Sequence, residues 1–352
     1  MDAATLLDTI TSDDFGRFED TLDSLWPAEN RSDPDTDEPV KLGLAVSGGP
    51  DSLALLLLAA ATLPGSIAVA SINHGLRPEA SAEVDLVRNI CAMLSVPFTA
   101  IEVRLRSGNV QARAREARYA ALSRWARKER LGGICTAHHA DDQAETLLMR
   151  MSRGSGLSGL AGVRAYQLYG EGEEGGAVPL IRPLLSWRKS ELEAIVAAAG
   201  LDPVRDPSNQ QMQFDRVRVR EHLARHDWLE PEALAASAEH LAEAWRAIEW
   251  YAQLDWEEMV HREEGDGQTL GVIRYNANVP RVVQIETVRR IVAELGGLVT
   301  RAEAGRAADR LWRGENASLG GVLAVPTIGP VEPVGVEMRV WRFTAEPPRR
   351  TH

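Results

Sequence analysis

Cysteine and lysine are scarce in this chain of 352 residues. The two cysteines, Cys91 and Cys135, stand far apart without a Cys-x-x-Cys pair, which excludes a disulfide framework or zinc knuckle and predicts two buried, reduced thiols. No run of about 18 apolar residues occurs, and the N-terminus MDAATLLDTITSDDF is acidic. Neither a membrane span nor a signal peptide fits, and a cytoplasmic protein is expected. Lysine occurs only at Lys41, Lys128 and Lys189. None ends a Gly-x-x-x-x-Gly-Lys-Ser/Thr loop, so a Walker-type nucleotide site is excluded, and the dinucleotide fingerprint Gly-x-Gly-x-x-Gly is missing too.

The net charge of −12 disfavours a nucleic-acid partner when taken as a total. Its distribution says more. Arginines gather at Arg113, Arg115, Arg118, Arg124, Arg127 and Arg130, and again at Arg216, Arg218, Arg220 and Arg225. Such sets suit forked contacts to phosphate, although a basic helix face can equally be solvated.

The central stretch is KLGLAVSGGPDSLALLLLAA, residues 41–60. A short apolar run, 40–46, reads as a buried strand; Ser47-Gly48-Gly49-Pro50 is a turn; Asp51 and Ser52 open an apolar helix. Glycines let an anion approach the backbone, and the helix start aims amides and a positive dipole end at it. An ordinary strand-to-helix turn also carries glycines and an Asp cap. The full SGGPDS pattern, however, resembles the pyrophosphate loop of the N-type ATP pyrophosphatases.

Strand-like and helix-like runs then alternate: 66–72, 78–94, 98–103, 110–130, 133–137 and 141–151. The fold class is therefore α/β, a doubly wound and mostly parallel sheet, with ligands at the carboxyl ends of its strands. Residues 154–176 read as a glycine-rich surface loop, 179–185 as a strand, 186–200 as a helix and 231–257 as a long helix. Further strands at 269–275, 319–325 and 336–343, with helices at 282–295 and 301–312, form a small α+β module. The expected organisation is a flexible acidic lead-in over 1–38, a catalytic domain over 39–226, a helical linker over 227–262 and a small C-terminal α+β domain over 263–352.

Four companions of the loop are candidates for its chemistry, the first of which also reads as an ordinary loop before a Pro78 helix start and the second as a solvated basic helix. SINHGLRPEASAEV ends a strand at Asn73-His74, with Arg77 in reach of an anion. NVQARAREARYAAL places Arg115 and Arg118 on one helix face. CTAHHADDQAETLLMRMSRGSG ends a strand at His138-His139 and opens a helix at Asp141-Asp142. These acids could simply offset the helix dipole, and Asp142 with Glu145 has capping-box spacing. Zinc lacks a His-Glu-x-x-His or His/Cys set, whereas magnesium needs one or two carboxylates beside substrate phosphates, and Asp51 with Asp142 would supply them. Last, RDPSNQQMQFDRVRVREHL sets Arg205 before a turn and spreads Arg216, Arg218 and Arg220 around a helix.

SGGPDS, NHGLR, ARAREARY, HHADDQAET with RGSG, IRPLL and DPSN in this order are similar to the tRNA(Ile)-lysidine synthetase family, over about 40–223. The resemblance implies ATP-dependent adenylation of the wobble cytidine of a CAU anticodon, followed by displacement of AMP by free lysine. It implies that Ser47, Gly48, Gly49, Pro50, Asp51 and Ser52 hold ATP, with magnesium on Asp51 and Asp142. It sets His139, Asp142 and Glu145 at the activated base and the lysine, Arg115 and Arg205 in catalysis, and Arg118, Arg216 and Arg220 on tRNA. Oligomeric state stays open, a homodimer included. Asn73 and Val217 depart from the family's usual residues. The competing readings are a tRNA thiolase of the same superfamily, which needs reactive cysteines, and a non-catalytic tRNA-binding module, which would have lost Asp51, Ser52 or Asp142.

Overall fold

A computed structural model describes residues 2–32, 38–73, 79–103, 110–170, 176–204, 214–226, 228–263, 271–331 and 336–346. The chain divides into two compact units, Met1–Ala242 and Glu243–His352.

The first unit opens with α1 (Ala3–Leu7) and α2 (Ser12–Leu25). Residues 3–25 depart from the flexible lead-in that their acidic composition predicts. Phe18 and Leu22 are four apart on one face of α2, and with Leu6 and Trp26 they are buried in the main core. The acidic composition that suggested disorder lies on the other face and in the segment beyond Trp26. Arg17 fastens α2 further by bonding Glu191 Oε1 at 2.8 Å and the Ser186 carbonyl at 2.7 Å, its guanidinium 4.2 Å from the Trp187 ring centroid.

Next come β1 (Leu42–Ala45), α3 (Pro50–Thr62), β2 (Ile67–Asn73), α4 (Glu79–Met93) and β3 (Phe98–Glu102). They are followed by α5 (Val110–Lys128), β4 (Gly133–Cys135), α6 (Ala140–Ser152), α7 (Leu157–Leu160), β5 (Tyr166–Tyr169) and β6 (Val178–Ile181). The sheet order is β3-β2-β1-β4-β6-β5, parallel except for β5. Segment 154–176, read as loop, thus contains a short helix and an antiparallel edge strand. Pairing with β6 supplies the hydrogen bonds that its glycine-rich sequence does not advertise.

Leu53 to Ala60 are buried all round α3, which makes it a central core helix rather than an amphipathic surface one. Cys91 and Cys135 are buried as expected. The chain builds β2 and β3 on one side of β1 and then crosses to β4 on the other. Such a reversal opens a crevice at the carboxyl ends of β1 and β4, where doubly wound sheets bind their ligands.

The first unit closes with α8 (Lys189–Ala198), α9 (Phe214–Arg225) and the first turns of α10 (Pro231–Met259). The second unit has an antiparallel sheet ordered β7-β8-β11-β10-β9, from β7 (Val260–Glu263), β8 (Val272–Asn276), β9 (Ala317–Leu319), β10 (Val322–Val331) and β11 (Val336–Ala345). Its helices are α11 (Arg281–Glu294) and α12 (Arg301–Trp312). Tyr275 and Trp341 meet edge to face in its core, ring centroids 5.7 Å apart.

Candidate active site

The glycine turn leaves β1 at Ser47. Gly48 has φ +86°, a conformation that side-chain-bearing residues rarely adopt. Ser52, nearly buried, closes the turn: its hydroxyl accepts the Ser47 N–H at 3.1 Å and donates to the Gly49 carbonyl at 3.0 Å. Gly49 caps α3 and Pro50 starts it. The free amides of the first turn therefore face the crevice without competition from a side-chain cap. The Gly48 carbonyl accepts the Val204 N–H at 3.0 Å, which fixes the turn from its outer side.

Across the crevice, Thr136-Ala137-His138 follow the end of β4 and α6 begins at Ala140, with His139 as its cap residue. His139 is 6% exposed and lies among three carboxylates. Its Nε2 is 3.7 Å from Asp51 Oδ2 and 3.6 Å from Asp142 Oδ2, and its Nδ1 is 3.6 Å from Asp141 Oδ2. Burial opposes charge on the imidazole, but Asp141, Asp142 and Asp51 outweigh it and raise its pKa above the usual value. Burial raises the Asp51 pKa as well, against the pull of His139 and Lys189. Asp51 Oδ1 is buried and accepts no hydrogen bond within the described residues.

Asp142 Oδ2 accepts the His139 N–H at 3.3 Å. Asp141 is more heavily engaged: its Oδ2 accepts the Lys189 N–H at 2.9 Å and lies 3.4 Å from Arg188 Nε. Burial works against its ionisation, yet His139, the Lys189 amide and Arg188 together hold its carboxyl well below the usual range. Arg188 continues to Glu232, whose two oxygens accept its Nη1 at 2.8 Å. The starts of α6, α8 and α10 are thereby cross-linked behind His139.

Glu145, one turn along α6 and 2% exposed, faces α9. Arg220 Nε lies 2.7 Å from its Oε1 and Arg216 Nε 3.0 Å from its Oε2. Arg216 also reaches Thr146 Oγ1 at 3.5 Å. Three residues named from the sequence as separate contacts to base, lysine and tRNA are thus brought together as one ion-paired cluster. Arg205 and the side chain of Arg113 lie outside the described residues, as do His74 and Arg77.

On the other flank, Thr136 Oγ1 and His138 Nδ1 are 2.9 Å apart. Burial lowers the His138 pKa to about 3; Asp142 resists this, while Arg182, Arg115 and Arg118 add to it. Arg115 and Arg118 both lie over the Tyr119 ring, at 5.3 and 5.4 Å from its centroid. Arg188 and Arg182 are site-flanking residues that the sequence reading does not name, whereas His138 and Asp141 are named there only as a strand end and a helix start. Of those two, Arg182 carries a visible signal, as the charge inside the otherwise apolar IRPLL.

A crevice with an anion cradle on one lip and a carboxylate cluster on the other can hold a polyphosphate beside a cation. Asp51 and Asp142, one with an unsatisfied buried oxygen, fit a magnesium that takes its other ligands from phosphate and water.

Residues 26–227 match the PP-loop domain family. The chain is 44% identical over 313 residues to the tRNA(Ile)-lysidine synthase of Novosphingobium aromaticivorans, covering 88% of this chain and 90% of that protein. It is 37% identical over 314 residues to the tRNA(Ile)-lysidine synthase of Zymomonas mobilis, with the same coverage of 88% and 90%. Among solved structures, the U34-tRNA thiolase NcsA from Methanococcus maripaludis superposes with a TM-score of 0.52 at 16% identity, covering 66% of this chain and 80% of that one. That likeness shows a shared fold. The relatives align from the N-terminal part of the chain well into the second unit, and on that extent of identity the protein belongs to the tRNA(Ile)-lysidine synthase family.

Proposed function

We propose that this chain is an ATP-dependent ligase that adenylates the wobble cytidine of the CAU anticodon of tRNA(Ile) and joins free lysine to it, forming lysidine with release of pyrophosphate and AMP. The observation that carries the reading is the meeting of Asp51 and Asp142 at His139 Nε2 across the β1/β4 crevice, in a chain so closely related to lysidine synthases.

In the first step the cytidine 2-carbonyl oxygen attacks the α-phosphorus, and the bond to the β-phosphate breaks. The amides around Gly48, Gly49 and Asp51 meet charge that grows on the leaving pyrophosphate, in an arrangement set before reaction. Magnesium on Asp51 and Asp142 would supply further neutralisation of that charge when bound. In the second step the lysine ε-amine attacks C2, the C2–O bond breaks and AMP departs. The amine must first lose a proton, since its free pKa is about 10.4.

The acidic cluster both attracts the ammonium and takes that proton. Asp142 is the carboxylate best placed for it, because Asp141 is held by Arg188 and the Lys189 amide while Glu145 is held by Arg216 and Arg220. In this reading Arg115 and Arg205 act on ATP or the adenylate, and Arg118 meets tRNA. Arg216 and Arg220 order α9 through Glu145 beside any contact with RNA.

A sulfur-delivering reaction finds no support, because the chain's two cysteines are buried; burial pushes the Cys91 thiol up to about 12 and the Cys135 thiol higher still. The function is tested by pyrophosphate release from ATP. It should require the tRNA(Ile) transcript, and release in the absence of tRNA would sink the reading.

A further inference from the structure

The crevice is divided by charge. Asp51 after β1 and Asp141 and Asp142 after β4 make its acidic part, whereas its β6 side carries arginines with no counter-charge among the described residues. Arg182, directly after β6, is 3% exposed, donates through Nη1 to the Arg164 carbonyl at 2.5 Å, and has a buried Nε without a hydrogen bond. Arg150, on the last turn of α6, spends Nη1 on the carbonyls of Gly159 and Gly162, the latter at 3.0 Å. Arg115 and Arg118 bracket Tyr119, whose hydroxyl lies beside Arg182. Among the described residues none of these four guanidiniums meets a carboxylate at ion-pair distance.

That absence is not forced by composition, since the chain has 51 acidic residues against 39 basic ones. Burial, and the charge of Arg115 after it, weaken the protonated forms of both Arg150 and Arg182. Of the four only Arg182 is buried, with Arg118 and Arg150 half-buried and Arg115 exposed; a buried charge without a partner is costly unless an anion offsets it, and forked guanidiniums match phosphate oxygens in geometry as well as charge. His138, on the same flank and hydrogen-bonded to Thr136, adds no negative charge that could serve instead.

We propose that Arg182, with Arg115 and Arg118 around Tyr119, forms a phosphate-binding subsite on the β6 side of the crevice, opposite the acidic cluster. The inference rests on the reading of the chain as an enzyme of ATP and RNA. It adds Arg182 as the buried anchor of the anion. Two sources present this chemistry: the α-phosphate of ATP, and a backbone phosphate of the RNA beside the reacting base.

The test is equilibrium binding by the full chain, measured separately for ATP and for the tRNA(Ile) transcript across a salt series, with Arg182→Gln, Arg182→Lys and Arg118→Gln. An RNA phosphate predicts that Arg182→Gln weakens the transcript by about 10- to 100-fold and lowers the slope of log affinity on log salt by about one, with ATP unchanged. An α-phosphate predicts a similar loss for ATP and an unchanged RNA slope. Arg182→Lys recovers part of either loss. A folded Arg182→Gln that binds both as the wild type does overturns the subsite, whatever its melting temperature. Should that variant not fold, Arg118→Gln carries the same readout, and wild-type binding by it overturns the subsite equally. Arg182-dependent binding in a chain that makes no lysidine would contradict the proposed function and leave the subsite standing.

Discussion

His139 Nε2 lies 3.7 Å from Asp51 Oδ2, joining the residue that caps α6 to the residue that follows the glycine turn after β1. The contact spans the switch point of the sheet. It brings the nucleotide loop and the start of α6 into one electrostatic unit.

Asp51 is expected to trade stability for function. Its pKa is raised in the fold, chiefly by burial, so its ionisation costs stability that grows as pH rises from the unfolded value through the folded one. Asp51→Asn should unfold at or above the wild-type temperature at pH 7. Pyrophosphate release should nonetheless fall by about 100-fold or more. A variant with wild-type turnover would remove Asp51 from the reaction.

Gly48 is held at φ +86° in the turn. Gly48→Ala should cost about 1 kcal/mol or more in urea unfolding, because the left-handed region penalises a Cβ. ATP binding should weaken as the turn relaxes. A neutral effect on both measurements would show that the turn does not need this conformation.

His138 has a pKa lowered in the fold to about 3, so below about 6.5 the unfolded chain binds a proton that the folded chain refuses. Stability conferred by neutral His138 is complete above that pH and declines as pH falls toward the folded value. His138→Gln should flatten the decline between pH 6.5 and 5 in chemical unfolding. Imidazole proton resonances of His138 that titrate near neutrality would contradict the assignment.

Glu145 and Arg220 form the pair at 2.7 Å that holds α9 on α6. A double-mutant cycle with Glu145→Ala and Arg220→Ala should give a coupling of about 1 kcal/mol, kept modest because the Arg220 side chain is 53% exposed. Independent effects of the two changes would show that the pair does not order α9.

Much of the site is legible in the sequence because its parts are local. Ser47 to Ser52 announces a strand, a glycine turn and a helix start within one short stretch, and His139, Asp142 and Glu145 share another. The alternation of runs that follows is enough to expect a parallel sheet. What stays hidden are partners distant in sequence. Asp141 is tied to Arg188, and Arg188 to Glu232; Glu145 is ion-paired with two arginines about 70 residues downstream. Residue spacing reports faces of one helix and says nothing of such pairings. The N-terminal helices were masked differently, by acidic residues flanking the few apolar ones, Leu6, Phe18, Leu22 and Trp26, that reach the core. Edge strand β5 takes its order from pairing with β6 rather than from its own glycine-rich surroundings.

The most direct measurement of the central claim is nucleoside analysis by mass spectrometry of a CAU-anticodon tRNA(Ile) transcript incubated with the full chain, ATP, magnesium and lysine. The account predicts that the wobble cytidine is converted to lysidine by the wild type and stays unmodified with Asp142→Ala. An unmodified cytidine with the wild-type chain, or lysidine formed equally well by Asp142→Ala, would contradict it.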